Sequence, residues 1–270
     1  MVGHVEWVDF IPVDRLPGAG QVVHAQGAFS RAAGGGGVVA VVLAELGGEV
    51  DFYCALGDDS HGHAAAQQLT ERGVRLHVAW RSGEPTRRAI TMLESTGERT
   101  IVTIGERLEP RGSDELQWDE LDHAAAVYFT AGDPGAFAHA RRARAVVASP
   151  RGRRALTATG ADARGHGGHL VDALIYSAGD QDESAWAEHL AAQARLVVQT
   201  RGAQGGVWWG ESEGSWAPAP LPGPAKDSYG CGDSFAAGFT FALARGEGVA
   251  AAAALGAECG ARCLTRDGAP

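Results

Sequence analysis

The run Asp227-Ser-Tyr-Gly-Cys-Gly-Asp-Ser-Phe-Ala-Ala-Gly238 sets two glycines and a carboxylate at the start of an alanine-rich helical stretch. Gly230 and Gly232 let the backbone turn its N–H groups, with that of Cys231, toward one point, and the helix dipole adds to the pull on an anion. Asp233 beside such a hole is placed to take a proton from a hydroxyl attacking the γ-phosphate of a nucleotide. That chemistry is phosphoryl transfer, with Asp233 as the base. The same spacing also serves a plain helix N-terminus, with Ser or Asp in the first turn after a glycine loop.

The elements that would position these groups follow from pattern. Alanine-rich helical segments at Val38–Leu46, Ala64–Arg72, Glu183–Gln193 and Phe235–Ala244 alternate with short apolar runs at Val50–Ala55, Ala125–Thr130, Ala145–Ala148, Ala173–Ser177 and Leu196–Thr200. Runs of this kind bounded by Gly, Pro or Asp predict βαβ units and a mainly parallel, helix-covered sheet. Gln21–Ser30 and the hairpin Arg88–Leu93, Ser95-Thr-Gly97, Glu98–Ile104 break the alternation and predict antiparallel strands.

With 270 residues and 45% hydrophobic content, one α/β domain spanning 1–270 accounts for the whole length. A net charge of −10 excludes a basic nucleic-acid-binding face and points to small-molecule partners. Cys54, Cys231, Cys259 and Cys263 have no disulfide-framework spacing, which predicts reduced thiols. The opening MVGHVEWVDF carries no basic leader, and no apolar run approaches membrane-spanning length. The expectation is a cytoplasmic protein without a membrane partner.

The catalytic run resembles the C-terminal signature of the PfkB (ribokinase-like) carbohydrate kinases, D-T-x-G-A-G-D-x-F, with Ser228 for Thr and Cys231 for Ala. Leu46-Gly47 followed by Leu56-Gly57-Asp58-Asp59-x-x-Gly62 is similar to that family's L-G … V-G-D-D-x-x-G at matching spacing. Smaller similar pieces are Asp14–Pro17, Gly97–Ile101, Thr200–Gly205 and Thr265–Ala269, in the family's order along nearly the whole chain.

The resemblance implies a ribokinase-like three-layer sandwich with a small β lid, here from about 21–30 and 88–104, that covers the acceptor and often dimerises. It implies ATP and Mg2+ as cofactors, and a sugar-like small-molecule acceptor. Thr200, Gly202 and Gly205 match the T-x-G-x-x-G loop that cradles nucleotide phosphates and ribose, with Asp227 at the head of the signature assigned to the same side; a simple β-turn would have the same sequence. The family's magnesium-organising N-x-x-E corresponds to Asp180-Gln-Asp-Glu183, which also reads as an acidic helix N-terminus.

The acceptor side departs from the family pattern. Ala33-Gly34-Gly35-Gly36-Gly37-Val38 stands where ribokinase-like members carry G-G-K-G-A-N, so the Lys and Asn are Gly35 and Val38. Those polar side chains cannot be replaced by glycine or an apolar group, although the backbone at Gly34, Gly35 and Gly36 is free to approach a ligand closely. On the first strand Glu6 and Asp9 are the candidate acceptor-binding carboxylates, and strand alternation puts them on opposite faces. Arg107 replaces a neutral amide in G-A-N-x-x-L, and with Arg87 and Arg88 it suggests an acidic or polar-ring acceptor; a solvated surface Arg is the plainer reading.

The expectation is therefore an ATP-dependent sugar or sugar-acid kinase. A nucleoside kinase of the same fold and a member that binds without catalysis are the alternatives. His166-Gly-Gly-His169 lacks a third ligand at zinc spacing, Cys259 and Cys263 share a helix face as packing residues do, and the basic clusters at 141–144 and 151–154 read as solvated helix faces.

Overall fold

The computed structural model describes residues 1–25, 27–94, 97–159 and 168–270. In chain order its elements are β1 (Glu6–Val13), β2 (Phe29–Ala33), α1 (Gly34–Glu45), β3 (Val50–Gly57), α2 (Ser60–Glu71), β4 (Val74–Arg81), β5 (Arg88–Glu94) and β6 (Arg99–Ile104). There follow β7 (Val127–Phe129), α3 (Pro134–Ala140), β8 (Val146–Ala148), α4 (Arg153–Ala158), β9 (Val171–Ser177), α5 (Gln181–Leu190), β10 (Ala194–Thr200), β11 (Gly206–Gly210), β12 (Gly214–Trp216), α6 (Cys231–Ala244) and α7 (Val249–Leu264).

The main sheet runs β12-β11-β10-β9-β8-β7, parallel from β10 to β7 with β11 and β12 antiparallel at the edge. Val2 bridges Phe129 of β7 and Tyr53 of β3, and so appends the parallel pair β3-β4. Alternation along the strands supplies both faces: Ala173, Ile175, Leu196 and Val198 pack with α1, α2, α6 and α7, whereas Leu174, Tyr176 and Val197 pack with α3, α4 and α5. Burial on both faces explains why these strands read as continuous apolar runs in the sequence. The result is the three-layer α/β sandwich expected.

A separate four-stranded sheet has the order β2-β1-β5-β6. The β5–β6 hairpin and the β1–β2 pair are antiparallel, while β1 and β5 run parallel. One expectation is corrected here. The strand expected over Gln21–Ser30 begins only at Phe29, because β1 offers partners for Phe29–Ala33, and Val22 is 80% exposed. Ser95 and Thr96, in the expected turn of the hairpin, lie outside the described residues.

Helix α1 starts four residues before the expected Val38, in the glycines themselves. Glycine disfavours helix on propensity, but here the lack of a Cβ allows close packing. The N–H of Gly36 donates to the carbonyl of His4 at 3.1 Å, and a Cβ on Gly36 would lie 2.5 Å from that oxygen.

Candidate active site

The parallel strands deliver their following residues to one end of the sheet, the carboxyl end at which open α/β sheets place ligand sites. Thr200 closes β10, Glu183 lies in the first turn after β9, and Arg151 lies in the 3-10 turn after β8. Asp233 enters from the first turn of α6, whose leading residue Gly230 adopts φ +75°, a left-handed conformation that favours glycine.

Arg151 joins these groups. Its Nε donates to Glu183 Oε1 and its Nη1 to Asp233 Oδ1, both at 2.8 Å. Glu183 accepts the N–H of Ser177 on its other oxygen at 3.0 Å, which fixes the carboxylate. Burial raises the Glu183 carboxyl above its ordinary range, and the Arg151 charge opposes that rise.

The floor is α1. The N–H of Gly35 donates to His4 Nε2 at 3.4 Å, and that of Gly34 to the Tyr229 hydroxyl at 3.3 Å. A Cβ at Gly35 would lie 2.7 Å from Arg151 Nη1 and 3.1 Å from Asp233 Oδ1, so only glycine leaves room for that ion pair. Burial, then the charges of Arg107, Arg151 and Arg87, hold His4 well below the usual histidine range and hence neutral.

From β1, Glu6 reaches the same place. It is buried, lies 3.2 Å from Arg87 Nε, and has its carboxyl raised mainly by burial and lowered in part by Arg87, Arg107 and Arg151. Asp9 lies on the other face of the strand, bound to Ser30 at 2.6 Å and to Arg88 at 2.8 Å. Arg107 is held by Glu109 at 2.6 Å and donates to the Arg151 carbonyl at 3.4 Å. Glu6 and Arg107 thus join Asp233, Gly34, Gly35 and Gly36, whereas Asp9 stays outside that group.

An anion fits the α6 turn. A Cβ on Gly232 would meet nothing within 4 Å, so the space there is open, and among the described residues the N–H groups of Gly232 and Asp233 have no backbone acceptor. The Cys231 N–H makes a 3.4 Å contact with the Ser228 carbonyl. Gly202, at φ +54°, also faces open space, but Gly205 does not: a Cβ there would be 2.0 Å from the Trp216 carbonyl, so its role is the turn into β11.

Three expected ligands are engaged by the protein itself. Asp227 is buried and accepts the N–H of Tyr229 at 2.8 Å and that of Gly268 at 2.7 Å, which ties the glycine turn to the C-terminal segment instead of leaving a carboxylate for the nucleotide. Asp180 caps α5 through the Glu183 N–H at 3.0 Å, and the Glu183 oxygens serve Arg151 and Ser177. This pair does not form a ready ligand set for magnesium. No group of three or more His, Cys, Asp or Glu suited to a metal occurs among the described residues.

Comparison with known proteins fits this arrangement. The model of the pfkB family carbohydrate kinases matches residues 1–148 and 170–270. The chain belongs to the PfkB family. Among curated PfkB-like relatives, an ATP-dependent ribose-1-phosphate kinase of Halopiger xanaduensis is 29% identical over 99% of this chain and 92% of its own length. A ribokinase of Arabidopsis thaliana is 31% identical, over 45% of this chain and 31% of its own length. In structure, Arabidopsis ribokinase complexed with ribose and ATP superposes with a TM-score of 0.76 at 21% identity, covering 99% of this chain and 92% of that one. Adenosine kinase from Sinorhizobium meliloti gives 0.76 at 19% identity, covering 98% and 93%. The ribokinase-like fold is thereby shown.

For a PfkB-family chain, two residues of this site escaped the sequence reading. Arg151 was grouped with Arg153 and Arg154 as a solvated face; Arg153 does lie outside, paired with Asp182 at 3.3 Å and over the Trp186 ring, but Arg151 turns inward. The signal was its place directly after the parallel strand Val146–Ala148. His4 carried no signal beyond its position ahead of the first strand. His166 lies outside the described residues.

Proposed function

We propose that this chain transfers the γ-phosphoryl group of ATP to a hydroxyl of a sugar or sugar-acid acceptor. The observation that carries the reading is the Asp233 carboxylate in the first turn of α6, beside the backbone turn that is open at Gly232. Asp233 takes the proton of the acceptor hydroxyl as its oxygen attacks. The N–H groups of the Gly230–Gly232 turn, foremost that of Gly232, with that of Asp233, bind the charge of the group in flight, and the Cys231 N–H gives up its long contact with the Ser228 carbonyl to join them. Gly202, after β10, faces the side on which the nucleotide would lie, with Thr200 at its root. Magnesium would enter with the nucleotide phosphates and neutralise their charge.

The acceptor would lie over α1, against the backbone of Gly34–Gly36 and the Glu6 carboxylate, beneath the β2-β1-β5-β6 sheet. Three guanidinium groups, Arg87, Arg107 and Arg151, exert their charge on the buried His4–Glu6 pair. Each already has a carboxylate partner within the protein, Glu6, Glu109, and Glu183 with Asp233, but the planar forks of Arg87 and Arg107 carry further N–H donors on the acceptor side, and an acceptor carrying a carboxylate or phosphate suits those donors best. The relative that matches along nearly the whole chain is named for ribose-1-phosphate, an anionic sugar, which supports the same choice. The exposed β6 residues Ile101, Val102 and Ile104 support dimer formation through this sheet.

The test is ADP release from MgATP with pentoses, hexoses, sugar acids, sugar 1-phosphates and nucleosides, beside Asp233→Asn. Release that requires an anionic sugar and is lost in the variant is expected. Equal turnover of neutral sugars would remove the anionic acceptor, and preference for nucleosides would favour a nucleoside kinase.

A further inference from the structure

Arg151 is the charged residue in this site whose role neither the glycine turn nor the acceptor floor explains. An arginine carries five N–H donors in a planar fork. Nε and one Nη1 hydrogen serve Glu183 and Asp233. Among the described residues no protein group accepts from Nη2, so the fork keeps donors to spare beside the α6 turn.

Its position is built from several elements. Glu183, anchored by the Ser177 N–H and through Asp180 at the start of α5, holds Nε from behind. Gly35 clears the space ahead, since any side chain there would begin 2.7 Å from Nη1. A surface arginine needs neither device: Arg153, two residues on, has a carboxylate partner and an aromatic ring at the surface. A guanidinium fixed against the base and next to an open anion turn meets the requirement for binding a planar, three-oxygen phosphoryl group.

We infer that Arg151 is a catalytic residue that binds the transferring phosphoryl group through its free N–H donors while holding Asp233 by Nη1. The inference rests on the phosphotransferase reading above and adds to it a cation supplied by the chain after β8. In the step it serves, the acceptor oxygen forms a bond to phosphorus and the bond from phosphorus to the diphosphate oxygen breaks. That oxygen keeps the electron pair, and the hydroxyl proton passes to Asp233. Arg151 exchanges no proton; its charge offsets the negative charge gathered on the equatorial oxygens.

The test is binding of ATP and of ADP by titration calorimetry, alongside turnover, for the wild-type chain, Arg151→Ala and Arg151→Lys. Loss of a charge-assisted contact to the γ-phosphate should weaken ATP by roughly tenfold or more and leave ADP within about twofold. Turnover should fall by roughly 10²- to 10³-fold in Arg151→Ala, the scale for one donor to a developing charge, and by less in Arg151→Lys, which keeps the charge without the fork. If Arg151→Ala weakens ATP and ADP equally, or neither, while the wild type turns over normally, the inference is overturned and the kinase reading stands. If the wild type binds neither nucleotide, the kinase reading fails and the inference falls with it. Arg151→Lys serves the same comparison should the alanine variant not fold.

Discussion

The N–H of Gly35 donates to Nε2 of His4 at 3.4 Å, a bond that exists only while that nitrogen is unprotonated. Burial and the charges of Arg107, Arg151 and Arg87 keep the folded-state pKa of His4 well below 6.5. The unfolded chain therefore takes up a proton that the folded chain refuses, and His4's contribution to stability is lost as pH falls below about 6.5. The slope from this one group approaches about 1.4 kcal/mol per pH unit at most. Glu6 and Glu183, both raised, act with the opposite sign above 4.5, so the comparison must be differential. Thermal melts between pH 8 and 5 should show a shallower decline for His4→Gln than for the wild type. Parallel curves would remove His4 from this role.

Asp233→Asn keeps the shape of the side chain and can still receive Arg151 through its amide oxygen, but it cannot take a proton. Loss of a positioned base should lower kcat by roughly 10²- to 10⁴-fold. Affinity for ATP should remain within a few-fold of wild type, because the anion turn is backbone and is untouched. Wild-type turnover in Asp233→Asn would dismiss the base assignment.

Asp233 was legible in the sequence because everything that marks it is local: glycines that permit a tight turn, then a carboxylate in the first helical turn. Arg151 was not, because its partners lie 32 and 82 residues away and only the sheet topology brings them together. The parallel strands announced themselves as short apolar runs, since helices cover both of their faces. Helix α1 did not announce its start, since four glycines argue against helix on propensity and only packing against His4 overrides that. At 180–183 the local pattern allows both a magnesium-organising pair and an acidic helix N-terminus, and only the fold shows Asp180 as the cap of α5 and Glu183 as the seat of Arg151.

Gly35 and Gly36 are neighbours with different reasons for being glycine, and alanine substitutions should separate them. At Gly35 the new methyl group would press on the far end of Arg151, which can move aside. The fold should hold, with Tm within a few degrees of wild type, while displacement of the guanidinium lowers turnover by roughly tenfold or more. At Gly36 the methyl group would meet the His4 carbonyl at 2.5 Å and the Phe52 ring at 2.8 Å, neither of which can yield without moving the core. That variant should lose about 1–3 kcal/mol or more of stability, read by denaturant unfolding. Similar unfolding midpoints for the two variants would show that the α1 floor is looser than this packing requires.

Asp227 poses the clearest choice between the role its sequence suggests and the role its contacts define. Both carboxylate oxygens are spent on backbone N–H groups, those of Tyr229 and Gly268, inside a buried junction. Asp227→Ala strands two buried donors and should cost about 2–4 kcal/mol, a fall in Tm of roughly 5–10 °C. Asp227→Asn keeps one acceptor oxygen and sets its NH2 group against the other N–H, so one of the two contacts survives and the loss should be smaller than in Asp227→Ala. At a temperature where both variants remain folded, ATP affinity should stay within a few-fold of wild type, because both carboxylate oxygens are spent on the buried Tyr229 and Gly268 N–H groups and neither is left for a nucleotide. A drop of tenfold or more in ATP affinity with an unchanged Tm would return Asp227 to the nucleotide site, and would mean that the junction it now closes opens when nucleotide binds.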